Sequence, residues 1–184
     1  MIEKERIKKL NEKKLQNKKY IVYWMQQSQR AEYNHALEYA IFLSNKYKIP
    51  LIVYFGITTN FLEANIRHYK FMIQGLKEVK KALEDRGIRF VFRKISPEKG
   101  AIDISKDACV MIVDRGYLKI QREWRKIVSD KIKCPIIQIE CDVIVPVEDA
   151  SDKEEYGAYT IRRKIQKKLD KYLVPIKKQK YTND

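Results

Sequence analysis

Five short runs of β-branched, aromatic and other apolar residues, Tyr20–Trp24, Leu51–Phe55, Arg89–Arg93, Cys109–Val113 and Ile136–Ile139, alternate with segments whose apolar positions recur at helical spacing. Most of the runs are nearly continuous, which suits parallel strands covered on both faces rather than strands with one wet face. Between them, Ala36, Leu37, Ala40, Ile41 and Leu43 mark one helix. Ile66, Tyr69, Ile73, Leu76, Val79 and Leu83 mark a second, which Gly87 closes as a C′ residue just before the third strand. Leu118, Trp124, Ile127 and Val128 mark another, and Pro97–Lys106 is expected to supply a weaker helix between strands three and four. Ser151 and Glu154 stand at capping-box spacing and predict a helix opening there and running toward Leu169. Strands and helices alternating through right-handed crossovers make an α/β domain: a doubly wound, five-stranded parallel, Rossmann-like sheet with helices on both faces.

The chain has 184 residues, enough for one α/β core and too few for a second domain of ordinary size. Its net charge of +15 would suit a nucleic-acid surface, but the charge is terminal: residues 1–19 contribute +5 and residues 161–184 contribute +7. Basic ends of this kind read as solvated arms, and the leader 1–19 is expected to be helical or frayed. Cys109, Cys134 and Cys141 are odd in number and lack C-x-x-C spacing, which supports neither a disulfide framework nor a zinc site. No apolar stretch approaches the roughly 18 residues of a membrane span, and the amino terminus lacks a hydrophobic signal segment, so a soluble, cytoplasmic protein with no membrane partner is expected. Neither G-x-G-x-x-G nor G-x-x-x-x-G-K-[ST] occurs.

Four blocks in one order carry a family resemblance: Tyr23-Trp24-Met25-Gln26-Gln27-Ser28-Gln29-Arg30, Glu63-Ala64-Asn65-Ile66-Arg67-His68-Tyr69, Val113-Asp114-Arg115-Gly116-Tyr117-Leu118 with Gln121-Arg122-Glu123-Trp124-Arg125, and Ala150-Ser151-Asp152-Lys153-Glu154-Glu155-Tyr156. Over about residues 20 to 175 the chain resembles the amino-terminal α/β domain of class II cyclobutane-pyrimidine-dimer photolyases. Aligned on Trp24, the first block also matches other photolyase classes: Arg30 and Asn34 fall on that pattern's Arg and Asn, while Gln26 and Gln27 stand where those classes carry Arg-Arg. The resemblance implies the strand order 3-2-1-4-5. It also implies an antenna chromophore, 8-hydroxy-5-deazaflavin or a folate, held by this domain. FAD and damaged DNA belong to the intact protein, whose helical domain these residues do not include, so the chain alone is expected not to repair DNA. The division implied is a basic leader over 1–19, the α/β domain over 20–150, a helix and linker toward the FAD-binding domain over 151–175, and a basic tail over 176–184. An apolar face near Tyr156 through Leu173-Val174-Pro175, bared without that partner, would favour self-association. The alternative is a stand-alone nucleotide-binding or interaction α/β domain without repair activity.

In the order 3-2-1-4-5 the topological switch point lies between strands one and four, which sets Met25–Arg30 across a crevice from Asp114-Arg115-Gly116. Gln26, Gln27 and Asn34 offer amide donors and acceptors for the edges of a planar heterocycle, and Arg30 could hold an anionic group. Asp114 and Arg115 read either as a ligand-recognising pair or as a surface ion pair. Gly56 and Gly116 each follow a strand directly, where a missing side chain permits a sharp turn or a close ligand approach. Asp142, after strand five, is a further candidate. Trp24 and Trp124 read as core, and His35 and His68 as helix residues satisfied locally. No nucleophile-base pair, paired carboxylates or metal-ligand cluster emerges.

Overall fold

The computed structural model describes residues 2–183. After a single helical turn at Lys4–Arg6 the elements run β1 (Ile7–Lys9), β2 (Tyr20–Trp24), α1 (His35–Tyr47), β3 (Leu51–Ile57), α2 (Ile66–Glu84), β4 (Arg89–Lys94), α3 (Pro97–Ser105), β5 (Ala108–Asp114), α4 (Lys119–Lys131), β6 (Ile136–Ile139), α5 (Val147–Ala150), α6 (Ala158–Gln166) and α7 (Leu169–Tyr172). The sheet order is β1-β6-β5-β2-β3-β4. The five expected strands are β2 to β6, all parallel and in the expected 3-2-1-4-5 order, with β2 between β3 and β5.

The sheet has a sixth strand that the pattern did not show. β1 pairs antiparallel with β6, Ile7 opposite Ile139 and Lys9 opposite Ile137, so the leader is neither a helix nor frayed there. Arg6 anchors it: the side chain is buried, pairs with Glu3 at 3.0 Å, and donates to the carbonyls of Glu140, Val143 and Ile144. A buried guanidinium holds its place only if its donors are used, and these carbonyls use them.

Alternation along the strands divides the core. Ile21, Tyr23, Leu51, Val53 and Ile112 face α1 and α2, burying Leu37, Ile41 and Leu83, whereas Val22, Trp24, Tyr54, Met111 and Val113 face α3 and α4, burying Ile104 and Val128. Each such side chain contributes about 1.5–3 kcal/mol of burial. In α2 the seating is uneven. Leu76, Val79 and Leu83 are buried, but Ile66 and Ile73, expected on the same inward stripe, are 67% and 38% exposed. The amino-terminal half of α2 therefore overhangs the carboxyl edge of the sheet, and space opens beneath it. Gly87, with φ +73°, turns the chain from α2 into β4, as its position predicts.

The carboxyl-terminal segment departs from expectation twice. Ser151 does not cap a helix with Glu154: its hydroxyl donates to Glu155, and the helix opens later, at Ala158. The segment read as a solvated tail is docked. Glu38 accepts from Gln179 N at 2.6 Å, Arg86 donates to Gln179 O at 3.1 Å, and Leu51 N donates to the Tyr181 hydroxyl at 3.0 Å. Met1 and Asp184 of the expected leader and tail lie outside the described residues. Among the described residues no helix is long and apolar enough to cross a membrane, and no group of His, Cys, Asp and Glu could hold a metal ion.

Candidate functional site

Strand β2 ends at Trp24, and the chain then loops over the carboxyl end of β5 before Asn34 caps α1. Asp114, the last residue of β5, organises the loop. Its carboxylate is fully buried and accepts from the backbone N–H groups of Gln26 at 3.1 Å, Gln27 at 3.0 Å and Ser28 at 2.9 Å, and from the Tyr23 hydroxyl at 3.0 Å. Burial pushes this carboxyl above its ordinary value, and the amides of Gln27, Ser28 and Gln26 and the Tyr23 hydroxyl pull it back. Asn34 completes the arrangement from beneath. Its Oδ1 accepts from Leu37 N, and its Nδ2 donates to Tyr23 Oη, Ser28 O and Arg30 O at 2.9–3.0 Å.

The two glutamines at the start of the loop reach in opposite directions. Gln26 Oε1 accepts from Gly56 N on β3 at 3.4 Å, and Gln27 Oε1 accepts from Gln121 Nε2 on α4 at 2.7 Å. Between these two ties lies a cleft of about 780 Å³, at the carboxyl ends of β2 and β3 and under the overhanging half of α2. Phe55, Gly56 and Pro97 line its sheet side; Tyr69, Phe71 and Met72 come from α2; Leu118 and Trp124 come from the start of α4. Phe61 and Trp124 approach to 6.0 Å between ring centroids, tilted by 46°, and link the β3–α2 connection to α4. The polar lining is mostly neutral amide, from Gln26, Gln27, Gln29 and Gln121, with Arg67 and His68 on the α2 side. The volume and the aromatic-plus-amide chemistry suit a flat heterocycle of drug-like size.

The expected crevice between strands one and four, now β2 and β5, is nearly closed, with about 10 Å³ of space between Trp24, Asp114, Gly116, Gln121 and Arg125. Gln121 fills it. A Cβ at Gly116 would collide with the Gln121 amide, so this glycine makes room for the glutamine that ties the loop to α4. Gly56 has a packing reason too: a Cβ there would stand 2.8 Å from the Tyr54 hydroxyl and 3.0 Å from Pro97 Cα.

Of the residues the sequence singled out, Gln26, Gln27 and Gly56 line the large cleft. Met25 is buried in the core, and Asp114 and Asn34 spend their polar atoms on the loop. Arg30 turns to the carboxyl end of β6, bonding Asp142 at 2.6 Å and Cys141 O at 3.1 Å, while Ser28 donates to the same Asp142 oxygen at 2.8 Å. Arg115 pairs with the buried Glu140 at 3.3 Å, not with Asp114. Cys141 is buried with its thiol pushed up to about 12, by burial first, and stays neutral. Trp24 is core as expected, but Trp124 is half-buried and faces the cleft. His68 accepts from Asn65 N at 3.0 Å and is satisfied locally; His35 is not, since its Nδ1 is buried without a partner. The sequence reading missed Phe61, Tyr69, Phe71, Gln121 and the cleft-facing side of Trp124. A signal is present, because Tyr69, Gln121 and Trp124 fall inside the quoted family blocks, although the spacing of Tyr69 and Trp124 by itself points to helix faces turned to the core.

A family model described as DNA photolyase matches residues 21–180. The deoxyribodipyrimidine photo-lyase of Methanothermobacter thermautotrophicus is 48% identical over 96% of this chain and 40% of its own length; that of Potorous tridactylus is 39% identical over 83% and 29%; that of Arabidopsis thaliana is 31% identical over 86% and 33%. The chain thus spans well under half the length of these relatives. Among solved structures, it is similar to a universal stress protein UspA from Lactobacillus plantarum, with a TM-score of 0.49 and 12% identity over 67% of this chain and 99% of that one. With the family match running across nearly all of the sheet and its helices, the chain belongs to the DNA photolyase family and corresponds to that family's amino-terminal α/β domain.

Proposed function

We propose that this chain is the antenna-chromophore-binding α/β domain of a class II DNA photolyase. In the intact protein it would serve light-driven repair of cyclobutane pyrimidine dimers beside a helical domain that carries FAD and meets the damaged DNA. The observation that carries the reading is the aromatic cleft of about 780 Å³ at the carboxyl ends of β2 and β3, rimmed by four glutamine amides. When bound, an 8-hydroxy-5-deazaflavin or a folate supplies light absorption and passes excitation energy onward. The protein's own part is binding: Phe55, Tyr69 and Trp124 cover ring faces, Gln26 and Gln27 reach ring edges, and Arg67 and His68 meet polar substituents.

The same loop argues against the nucleotide-binding alternative. In dinucleotide-binding sheets the first strand-to-helix loop offers backbone N–H groups to a pyrophosphate. Here the amides of Gln26, Gln27 and Ser28 are already taken by the internal carboxylate of Asp114. A ligand at this rim meets side-chain amides and rings, which favours a flat heterocycle over a phosphate group. Fluorescence titration of the purified chain with 8-hydroxy-5-deazaflavin, with a reduced folate and with ATP tests this. Saturable binding of one chromophore and not of ATP is expected; tight ATP binding with neither chromophore retained would overturn it.

A further inference from the structure

Asp114 touches four donors of its own chain and does not line the large cleft. We propose that it is a positioning residue for that cleft: its carboxylate fixes the backbone of Gln26–Ser28 in one conformation and so sets the Gln26 and Gln27 side chains at the rim before any ligand arrives. The proposal rests on the cleft being the chromophore site, and it adds a residue that acts without contact.

The geometry requires the carboxylate and not its isostere. Oδ1 accepts from Gln27 N at 3.0 Å and Oδ2 from Ser28 N at 2.9 Å and Tyr23 Oη at 3.0 Å, with Gln26 N shared between them at 3.2 and 3.1 Å. An asparagine offers one acceptor oxygen and turns an NH₂ group toward donors, so either Gln27 N or Ser28 N loses its acceptor and faces a like dipole instead. Three successive amides converging on one anion form the kind of backbone concavity that elsewhere holds a bound ligand. Here it is closed around a residue from β5, and the loop is set by the fold. Positioned contacts of this kind lower the ordering cost of binding. Arg125 on α4 interacts electrostatically with Asp114 from outside the loop; Tyr23 on β2 and Cys141 after β6, which also interact with it, are held neutral by burial, and Asp142 acts on Cys141 in turn.

The test compares Asp114→Asn with the wild-type chain in two backgrounds, native and Gln26→Ala/Gln27→Ala, using 8-hydroxy-5-deazaflavin as the probe. Asp114→Asn is expected to weaken binding by about tenfold or more in the native background and by less than about twofold once both glutamines are gone, since it acts through them. Equal weakening in both backgrounds would show a general structural effect and overturn the proposal, as would no weakening at all. Amide hydrogen exchange without ligand separates this from the chromophore reading. Faster exchange at Gln26, Gln27 and Ser28, with β3 and β5 unchanged, supports positioning even if the probe does not bind; unchanged loop exchange refutes it. Should Asp114→Asn fail to fold, the wild-type chain still decides by NMR. The three amide shifts must follow the Asp114 carboxyl signal through its titration, and amides that do not follow it refute the proposal.

Discussion

Gln121 on α4 donates from Nε2 to Gln27 Oε1 at 2.7 Å, while its own Oε1 accepts from Leu118 N at 3.2 Å. One side chain thus caps a helix and holds the rim of the cleft. A Cβ at Gly116 would displace this clamp, and the same side chain fills the space between β2 and β5.

From this clamp, Gln121→Ala should release Gln27 and widen the cleft toward β5. A hydrogen bond between neutral groups is worth about 0.5–1.5 kcal/mol. Chromophore affinity should therefore fall by up to about tenfold, at 1.4 kcal/mol per decade. Arg30→Ala should change it less than Gln121→Ala, because Arg30 is engaged with Asp142 and Cys141 O away from the cleft. Titration of both variants checks the order; a larger loss from Arg30→Ala would return the site to the Arg30 side of the loop.

The second prediction concerns the docked carboxyl-terminal segment. Glu38 and Arg86 form an ion pair at 2.8 Å whose side chains are only 5% and 11% exposed, and the pair grips Gln179 by its backbone N–H and its C=O. Removing one partner of a buried pair leaves the other charge uncompensated and costs about 3–5 kcal/mol. Arg86→Met should destabilise the chain by that order in urea unfolding. The double variant Glu38→Leu/Arg86→Met should recover much of the loss. A change of less than about 1 kcal/mol in the single variant would count against the clamp.

The fold was more legible than the site. The parallel strands are long enough to show their apolar runs, and their order is the one the family resemblance implied. β1 was invisible because Ile7, Lys8 and Lys9 are too few to show a period, and they become a strand only through pairing with Ile137–Ile139 and the carbonyls gathered by Arg6. The Ser151 spacing misled because an alternative acceptor, Glu155, lay one residue further along. At the site, residue type identified polar atoms but not their partners. Asp114, Asn34 and Arg30 have the chemistry of ligand contacts and spend it on the protein, which only three-dimensional neighbours reveal. The cleft itself depends on how far α2 overhangs the sheet, a rigid-body fact with no local signature.

Histidine 35 carries a third prediction. It sits in the first turn of α1, where the helix dipole disfavours a cation, and burial together with Arg6 and Arg30 lowers its pKa from 6.5 to about 4. The neutral ring is therefore the folded form. The linked stability is fully present above the unfolded value near 6.5 and is lost as pH falls toward 4. The upper limit is about 3 kcal/mol at 1.36 kcal/mol per unit, reduced because the ring is partly solvated. Wild type should lose about 1–2 kcal/mol more than His35→Gln between pH 7 and pH 4.5 in parallel denaturation curves. Superimposable pH dependence in the two proteins would remove His35 as the cause.

The last prediction concerns the face beyond α6. Tyr156 is fully exposed, Tyr159 and Leu173 are each 64% exposed and Val174 49%, although all four are large and apolar in body. Their inward neighbours Val145, Ala150 and Tyr172 form a small separate cluster, so this region is anchored beneath and bare above. Surfaces between domains of one chain commonly cover roughly 600–1,500 Å², and contiguous exposed apolar patches mark interaction sites. We expect the isolated chain to self-associate reversibly through this face at high micromolar concentration. Leu173→Glu combined with Val174→Lys should yield a monomer without loss of stability, since neither side chain is buried. Analytical ultracentrifugation over a hundredfold range of concentration checks this, and the positive charge of the chain requires that salt be varied as well. Association that weakens with added salt would point to charge pairing as its source. Association that strengthens with salt and vanishes in the double variant is the outcome an apolar face requires.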